Sequence, residues 1–360
     1  MKQFFCKTKI ITGSGAVAAL RELQIQRLFL VCDPFFHKNG MAQAVLDAVG
    51  STESRIFSEI VPDPSVALAA KGSAAVKEFQ PDAVVALGGG STMDAAKAMA
   101  YFSGIHPLLV AIPTTSGSGS EVTDFAILTH NGAKHPLVDD RLKPDIAIID
   151  SDLVASLPTG LIADGGFDLI SHALESYVAT NSSQLSDLLA ADAFRTAMAG
   201  LQQSFEGEKA ARESLHTAAT MAGIAFSQAG LGLCHAIAHS LGGEFHTPHG
   251  RLNAILLPAV IDRNARVCAH RYAQLARLSG LSGGSDSMAL RAMKNALLRL
   301  RRNLMLPENL AQVGISPTAV QEKMEGLIQG ALADPCCATN PVKADDATIR
   351  SIITEVAGCG

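Results

Sequence analysis

Short apolar runs and longer amphipathic stretches alternate over roughly the first 150 residues. RLFLVCD (27–33), SRIFSEIV (54–61), DAVVALGGGS (82–91), PLLVAIP (107–113) and DIAIIDSDLV (145–154) read as strands. GMAQAVLDAVG (40–50), VALAAKGSAAVKEFQ (66–80) and TMDAAKAMAYF (92–102) read as helices between them. Strand and helix in alternation predict an α/β domain built on a parallel sheet. After Pro158 the pattern changes. Apolar residues recur at three and four positions over 161–177, 186–205, 208–226, 232–242, 252–264, 271–278, 287–304, 316–332 and 344–356. These predict helices, with no strand among them. The expected organisation is an α/β nucleotide-binding domain at 1–158, with a Rossmann-like parallel sheet, followed by an all-α domain at 159–360.

The chain has 360 residues, enough for two domains with sizeable cores. A net charge of -5 without a Lys/Arg-rich run argues against nucleic acid as a partner. The seven cysteines are Cys6, Cys32, Cys234, Cys268, Cys336, Cys337 and Cys359. An odd count with no C-x-x-C spacing suggests neither a disulfide framework nor a Cys-based zinc site, and free thiols fit a reducing compartment. The N-terminus lacks the apolar core of a secretory signal, and no apolar run reaches bilayer-spanning length. A cytoplasmic protein with no membrane partner is expected.

Two glycine-rich loops follow consecutive strands. GGGSTMDAAK (88–97) places Gly88, Gly89, Gly90 and Ser91 at a strand-to-helix turn. Without Cβ atoms the backbone can approach phosphate oxygens, and the helix start offers unpaired N–H groups. The spacing is neither G-x-G-x-x-G nor a Walker loop, and a tight turn without a ligand fits it as well. PTTSGSGSEVT (113–123) adds hydroxyls suited to a diphosphate, a ribose or a carboxamide. Loops after successive parallel strands fall at the carboxyl edge of one sheet, where α/β proteins bind ligands. Asp33, at a strand end, suits an adenosine ribose and would repel a 2′-phosphate; a solvated strand-end acid fits the same position.

The helical half carries a different chemistry. Asp168 and His172 in GFDLISHALESY are spaced i,i+4, as are His235 and His239 in GLCHAIAHSLGGEFHTPHG, with His249 after a Gly-containing turn. Such pairs project from one helix face. Asp168, His172, His235 and His249 form an N/O donor set for a divalent metal such as Fe(II) or Zn(II). The spacing is compatible with one site but also with an exposed His-rich segment holding incidental pairs. Glu175 reads as a helix-surface acid or a group supporting a ligand, and Asp164 as a helix cap.

Together these motifs resemble the iron-containing alcohol dehydrogenase family, also called group III. The likeness runs from Gly13 and Gly15 through GGGSTMDAAK, PTTSGSGSEVT, LKPDIAIID, GFDLISHALESY and GLCHAIAHSLGGEFHTPHG to ATNPVKA. AGIAFSQAGLGLCHAIAHSLGGEFHTPHG is similar to the propanol and ethanol dehydrogenases of propanediol- and ethanolamine-utilising microcompartments. The resemblance implies the dehydroquinate synthase-like fold of that family, NAD(H) and Fe2+ (or Zn2+) as cofactors, and reduction of a short-chain aldehyde such as acetaldehyde or propionaldehyde. It implies Asp168, His172, His235 and His249 as metal ligands. His239 stands where the family has a histidine near the nicotinamide, a candidate proton relay. Asp33, Gly88, Gly89, Gly90, Ser91, Asp94, Thr114, Thr115, Ser118, Phe125, Lys134 and Leu153 carry over as cofactor positions. A homodimer or larger homo-oligomer and a place inside a microcompartment are further implications. Glycerol dehydrogenase-like or maleylacetate reductase-like chemistry, a dehydroquinate synthase-like lyase and a non-catalytic metal-binding or scaffold role are the competing readings. Departures from the family pattern are Ser118 for Thr, Asp63 between Pro62 and Pro64, His246, and Arg251 in place of an apolar residue.

Overall fold

Alternate residues of the central strands enter two different cores. Leu28, Leu30 and Cys32 join one cluster with Ala83, Val85, Leu87, Val110 and Ile112. Phe29, Val31, Val84, Ala86, Leu109 and Ala111 join another. Side chains on a strand alternate between faces, so a strand covered on both sides must be apolar at nearly every position. That requirement explains the continuous apolar runs.

The computed structural model describes residues 4–50, 52–130, 133–281 and 283–358. The chain divides into two compact units, Phe5–Leu157 and the remainder from Pro158 onward. In the first unit the strands are β1 (Lys9–Thr12), β2 (Arg27–Cys32), β3 (Glu53–Phe57), β4 (Ala83–Gly88), β5 (Leu108–Pro113), β6 (Phe125–His130), β7 (Ala133–Val138) and β8 (Ile146–Ile149). Its helices are α1 (Pro34–Lys38), α2 (Met41–Val49), α3 (Val66–Phe79) and α4 (Gly90–Ser103). Six strands form a sheet in the order β1-β8-β5-β4-β2-β3, and all five pairings are parallel. Residues of α2 pack into the first cluster and residues of α3 and α4 into the second, so helices cover both faces.

The expected parallel α/β sheet is present, with some differences in detail. The strand expected to end at Asp33 stops at Cys32, because Asp33 caps α1. Helix α4 starts at Gly90, so two glycine-loop residues belong to its first turn. The antiparallel β6–β7 pair was not expected. Asn131-Gly132, which lies outside the described residues, is the sequence signal for such a hairpin.

The second unit contains α5 (Thr159–Val178), α6 (Gln184–Phe205), α7 (Lys209–Ala229), α8 (Leu233–Phe245), α9 (His249–Leu278), α10 (Asp286–Asn303), α11 (Pro317–Ala333) and α12 (Asp346–Val356). It has no strand among the described residues. The two helices expected at 252–264 and 271–278 form one stretch, broken only at Cys268, where φ is -129° and ψ 27°. Helix α5 is buried along most of its length, and its buried residues include the ionisable Asp164, Asp168, His172 and Glu175. Among the described residues no single helix is long and apolar enough to cross a membrane. Cys6, Cys32, Cys234, Cys268, Cys336 and Cys337 are free thiols; Cys359 lies outside the described residues.

Candidate metal centre and nucleotide loops

Helical pitch brings Asp168 and His172 to one face of α5, and the structure turns that face toward α8 and the first turn of α9. Asp168 Oδ1 lies 3.8 Å from His172 Nε2, 3.6 Å from His235 Nε2 and 3.5 Å from His249 Nε2. Asp168, His172 and His235 are buried, and their donor atoms lie within 4.8 Å of one another. These separations exceed ordinary hydrogen bonds. They suit donors around one cation, since two ligands each about 2.1 Å from a shared ion at a tetrahedral angle sit about 3.4 Å apart. One carboxylate with three imidazoles is a donor set for Fe(II) or Zn(II), and the residues present fit such an ion. The alternative of an exposed His-rich segment is excluded for His172 and His235, which are 5% and 1% exposed.

Two neighbours absent from the sequence-derived ligand set hold it in place. Asn253, one turn after His249, donates from Nδ2 to Asp168 Oδ1 at 2.9 Å. The same nitrogen lies 3.2 Å from His249 Nε2 and 3.4 Å from His235 Nε2. Glu175 is not a surface acid: it is 2% exposed. Its Oε2 lies 2.6 Å from His235 Nδ1 and its carboxylate accepts the backbone N–H groups of Gly232, Cys234 and His235. A carboxylate on Nδ1 fixes the tautomer that presents Nε2. Burial lowers the His235 pKa, but Asp168 and Glu175 outweigh it and take it up to about 9. Burial likewise raises the Asp168 carboxyl, yet the imidazoles of His172, His249 and His235 hold it well below the ordinary range. The field of this cluster therefore favours positive charge. His172 is clamped by stacking on Phe226 and His235, with ring centroids 4.3 and 4.4 Å apart.

His239 lies one turn beyond His235 on α8. It is stacked on His249 at 4.9 Å and 15°, and its Nδ1 is 2.8 Å from Asp334 Oδ2. Asp164 does not cap a helix, because α5 starts earlier, at Thr159. It accepts instead from Arg251, Nε to Oδ1 at 3.1 Å and Nη2 to Oδ2 at 3.0 Å. That pair gives the unusual arginine a structural partner. Arg251 and His246 also line a cavity of about 630 Å³ with Phe245, Arg302 and Glu308. His246 ends α8 at a φ of 53°.

Gly250 explains how α9 comes so close to α5. A Cβ there would lie 1.9 Å from the Asp164 carbonyl oxygen, and backbone cannot swing aside as a side chain can. Gly250→Ala is expected to destabilise the protein by about 1–3 kcal/mol or more and to weaken metal binding, because His249 is the adjacent residue. Denaturant titration and a metal titration check it; an unchanged unfolding midpoint would contradict the packing argument.

In the first unit the chain leaves β2 toward β3 and leaves β4 toward β5, so the order reverses between β2 and β4. Ligands of open α/β sheets bind at the carboxyl ends of strands at such a reversal. Cys32 pairs with Leu87 in register, which sets Asp33 beside Gly88. The two glycine loops touch. Thr114 N donates to Gly88 O at 3.0 Å, and Cβ atoms on Gly89 and Gly90 would lie 3.2 Å from side-chain atoms of Thr115 and Ser118. Gly88, Gly89, Gly90, Ser91, Thr114, Thr115 and Ser118 thus form one cluster with Asp33 at its edge. Asp33 Oδ1 caps α1 by accepting from Phe35 N and Phe36 N.

Other candidates are placed differently. Asp94 is buried, with Oδ1 accepting from Ser120 Oγ and Oδ2 from Ile127 N. Lys97, absent from the sequence-derived set, donates to Ser120 Oγ, Thr123 O, Thr123 Oγ1 and Phe125 O. This network ties α4 to the second loop and to β6. Burial lowers the Lys97 ammonium, against Asp94 and Glu121, to about 8. Lys134 pairs with Asp63 at 2.8 Å, and Leu153 packs against the first core cluster.

One unit carries a parallel sheet with two glycine loops at strand ends and the other a buried N/O cluster suited to a cation; comparison with known proteins gives the family. Residues 7–151 match the iron-containing alcohol dehydrogenase family and residues 162–357 match the C-terminal part of the Fe-containing alcohol dehydrogenase family. The chain is 39% identical to the 1-propanol dehydrogenase PduQ of Citrobacter freundii, over 99% of this chain and 100% of that protein. It is 35% identical to the NADPH-dependent butanol dehydrogenase of Clostridium saccharobutylicum, over 98% and 97%. An iron-containing alcohol dehydrogenase structure from Thermococcus thioreducens superposes with a TM-score of 0.90 at 31% identity, covering 99% of each chain. The protein belongs to the iron-containing alcohol dehydrogenase family.

Proposed function

We propose that this enzyme reduces a short-chain aldehyde, acetaldehyde or propionaldehyde, to the primary alcohol with NADH, and catalyses the reverse. The observation that carries the reading is the convergence of Asp168, His172, His235 and His249, with Glu175 orienting His235. These four residues hold iron. When bound, iron supplies a Lewis acid for the carbonyl oxygen and NADH supplies the hydride. The protein contributes position and field. His172, flat against Phe226, and buried His235 keep their donors aimed at one point and exclude water from behind it. His239 exchanges a proton with the oxygen.

The glycine-loop cluster holds the cofactor phosphates through backbone N–H groups at the start of α4. Asp33 faces the adenosine ribose and disfavours a 2′-phosphate; with Oδ1 held by the α1 cap, Oδ2 is the oxygen left for it. In this role Asp94 and Lys97 shape the second loop, while Phe125, Lys134 and Leu153 border the cofactor. The likeness to microcompartment propanol dehydrogenases supports a homo-oligomer that works in such a compartment, in the direction that regenerates NAD.

The test is anaerobic NADH oxidation with acetaldehyde and propionaldehyde after loading metal-free protein separately with Fe(II) and Zn(II). Activity with iron on these aldehydes supports the reading. Activity only on polyols or oxo acids would move the substrate class, and NADPH preferred to NADH would remove Asp33 from its role. In the same assay Asp33→Gly is expected to narrow the NADH preference by about tenfold.

A further inference from the structure

We propose that Asp334 is a positioning residue for His239: it holds the ring in the tautomer with hydrogen on Nδ1, so that Nε2 is the atom that exchanges the alcohol proton. The proposal rests on the aldehyde-reductase reading above and assigns a residue 95 positions away from its partner.

Asp334 lies at the join between α11, which ends at Ala333, and the short 3-10 turn Pro335–Thr339. Both its oxygens are engaged. Oδ1 accepts from Cys336 N at 2.8 Å and Oδ2 faces His239 Nδ1 at 2.8 Å. The carboxylate therefore cannot turn away without abandoning the backbone. Burial raises its pKa, but hydrogen bonds from His239 and Cys336 prevail and hold it down at about 2. An ionised carboxylate only accepts hydrogen bonds, so the hydrogen between the two groups resides on Nδ1. Stacking on His249 fixes the plane of the His239 ring, and the bond to Asp334 fixes its rotation within that plane. A half-turn of the ring would break the bond. These two constraints leave Nε2 free of the carboxylate and ready for proton exchange.

In the reduction the carbonyl carbon gains hydride from NADH, which becomes NAD+. The oxygen gains the Nε2 proton, leaving His239 neutral with hydrogen on Nδ1, and solvent returns the proton. A histidine in the opposite tautomer presents N–H where a lone pair is needed in the reverse direction, the fault that a carboxylate partner prevents.

Asp334→Asn keeps the size but offers an amide donor to Nδ1. It is expected to lower kcat by about 10–100-fold with KM for NADH and aldehyde, and bound iron, unchanged within about twofold. Asp334→Glu, which keeps the carboxylate, is expected to lose less. In a His239→Ala background Asp334→Asn is expected to have no further effect. Equal losses in Asn and Glu variants, an undiminished loss in the His239→Ala background, a loss confined to KM, or loss of iron would each overturn the proposal. If the wild-type protein reduces no aldehyde, the tautomer itself still decides. The ring nitrogens of His239 are read by 15N NMR in zinc-loaded protein and identified by their absence in His239→Ala. In the neutral ring, hydrogen on Nδ1 in the wild type, shifted in Asp334→Asn, supports the proposal; a neutral wild-type ring with hydrogen on Nε2 and none on Nδ1 overturns it.

Discussion

Asp168→Ala is expected to leave a folded protein that binds iron more than about 100-fold more weakly and loses activity in proportion. Asp168 is the single carboxylate of the proposed ligand set, and one of its oxygens lies within 3.8 Å of all three imidazole nitrogens. Removing it takes away the charge that offsets a divalent cation. The three imidazoles that remain are neutral donors when they bind metal. A second consequence falls on Asn253, a fully buried residue whose Nδ2 donates to Asp168. Nδ2 then keeps only its longer approaches to His249 and His235, and the lost hydrogen bond to a charged acceptor costs about 1.5–3 kcal/mol. Asp168→Asn separates the two effects, because an amide oxygen can still accept from Asn253 while the charge is gone. Iron per chain after dialysis, NADH oxidation and the shift in Tm on adding iron are the measurements. In the wild type added iron raises Tm, since only the folded state assembles the site. In both variants that rise should vanish. Stoichiometric iron in Asp168→Ala would remove Asp168 from the ligand set.

The features legible in the sequence were those set by local periodicity. The alternating cores of β2, β4 and β5 need apolar residues at every strand position, and RLFLVC, AVVALG and LLVAIP display them openly. The i,i+4 spacing of Asp168 and His172 marks one face of a helix, and α5 keeps that face whole. What escaped was set by contacts distant in the chain. Glu175 reads from the sequence either as a surface acid or as a group supporting a ligand, and only the docking of α8's first turn, from 57 residues downstream, onto the carboxylate decides for the second. Nothing near Asp334 points to His239, and although Arg251 stood out as a departure from the family pattern, its partner Asp164 lies 87 residues away. Asn253 is the intermediate case: it follows His249 by four residues, so helical spacing alone could have placed it beside the ligands. The β6–β7 pair was obscured because Phe125–Val138 carries polar residues and Pro136 among its apolar ones.

Glu175→Ala is expected to have the largest effect on stability, about 3–5 kcal/mol, and to weaken iron binding by about 10–100-fold. The carboxylate meets the N-terminus of α8, where helical N–H groups have no partner of their own. It accepts from Gly232 N at 3.0 Å, Cys234 N at 2.7 Å and His235 N at 3.3 Å. Positive potential at a helix start favours a negative group in that position. The approach is close enough that a Cβ on Gly232 would lie 2.7 Å from Oε1, which explains glycine there. Alanine at 175 would strand these buried donors and free the His235 ring to turn. Glu175→Gln is not a benign replacement. Each carboxylate oxygen accepts at least one backbone N–H, so whichever is exchanged for NH2 sets donor against donor. Both variants should therefore lose stability, Gln less than Ala, and both should lose iron affinity, because His235 no longer has a carboxylate to fix its tautomer. Unfolding midpoints of iron-free protein isolate the helix-start contribution, and iron titration isolates the contribution of the ring. A fall in midpoint with unchanged iron affinity would confine Glu175 to the α8 terminus; a fall in both is what one carboxylate serving helix and ligand together requires.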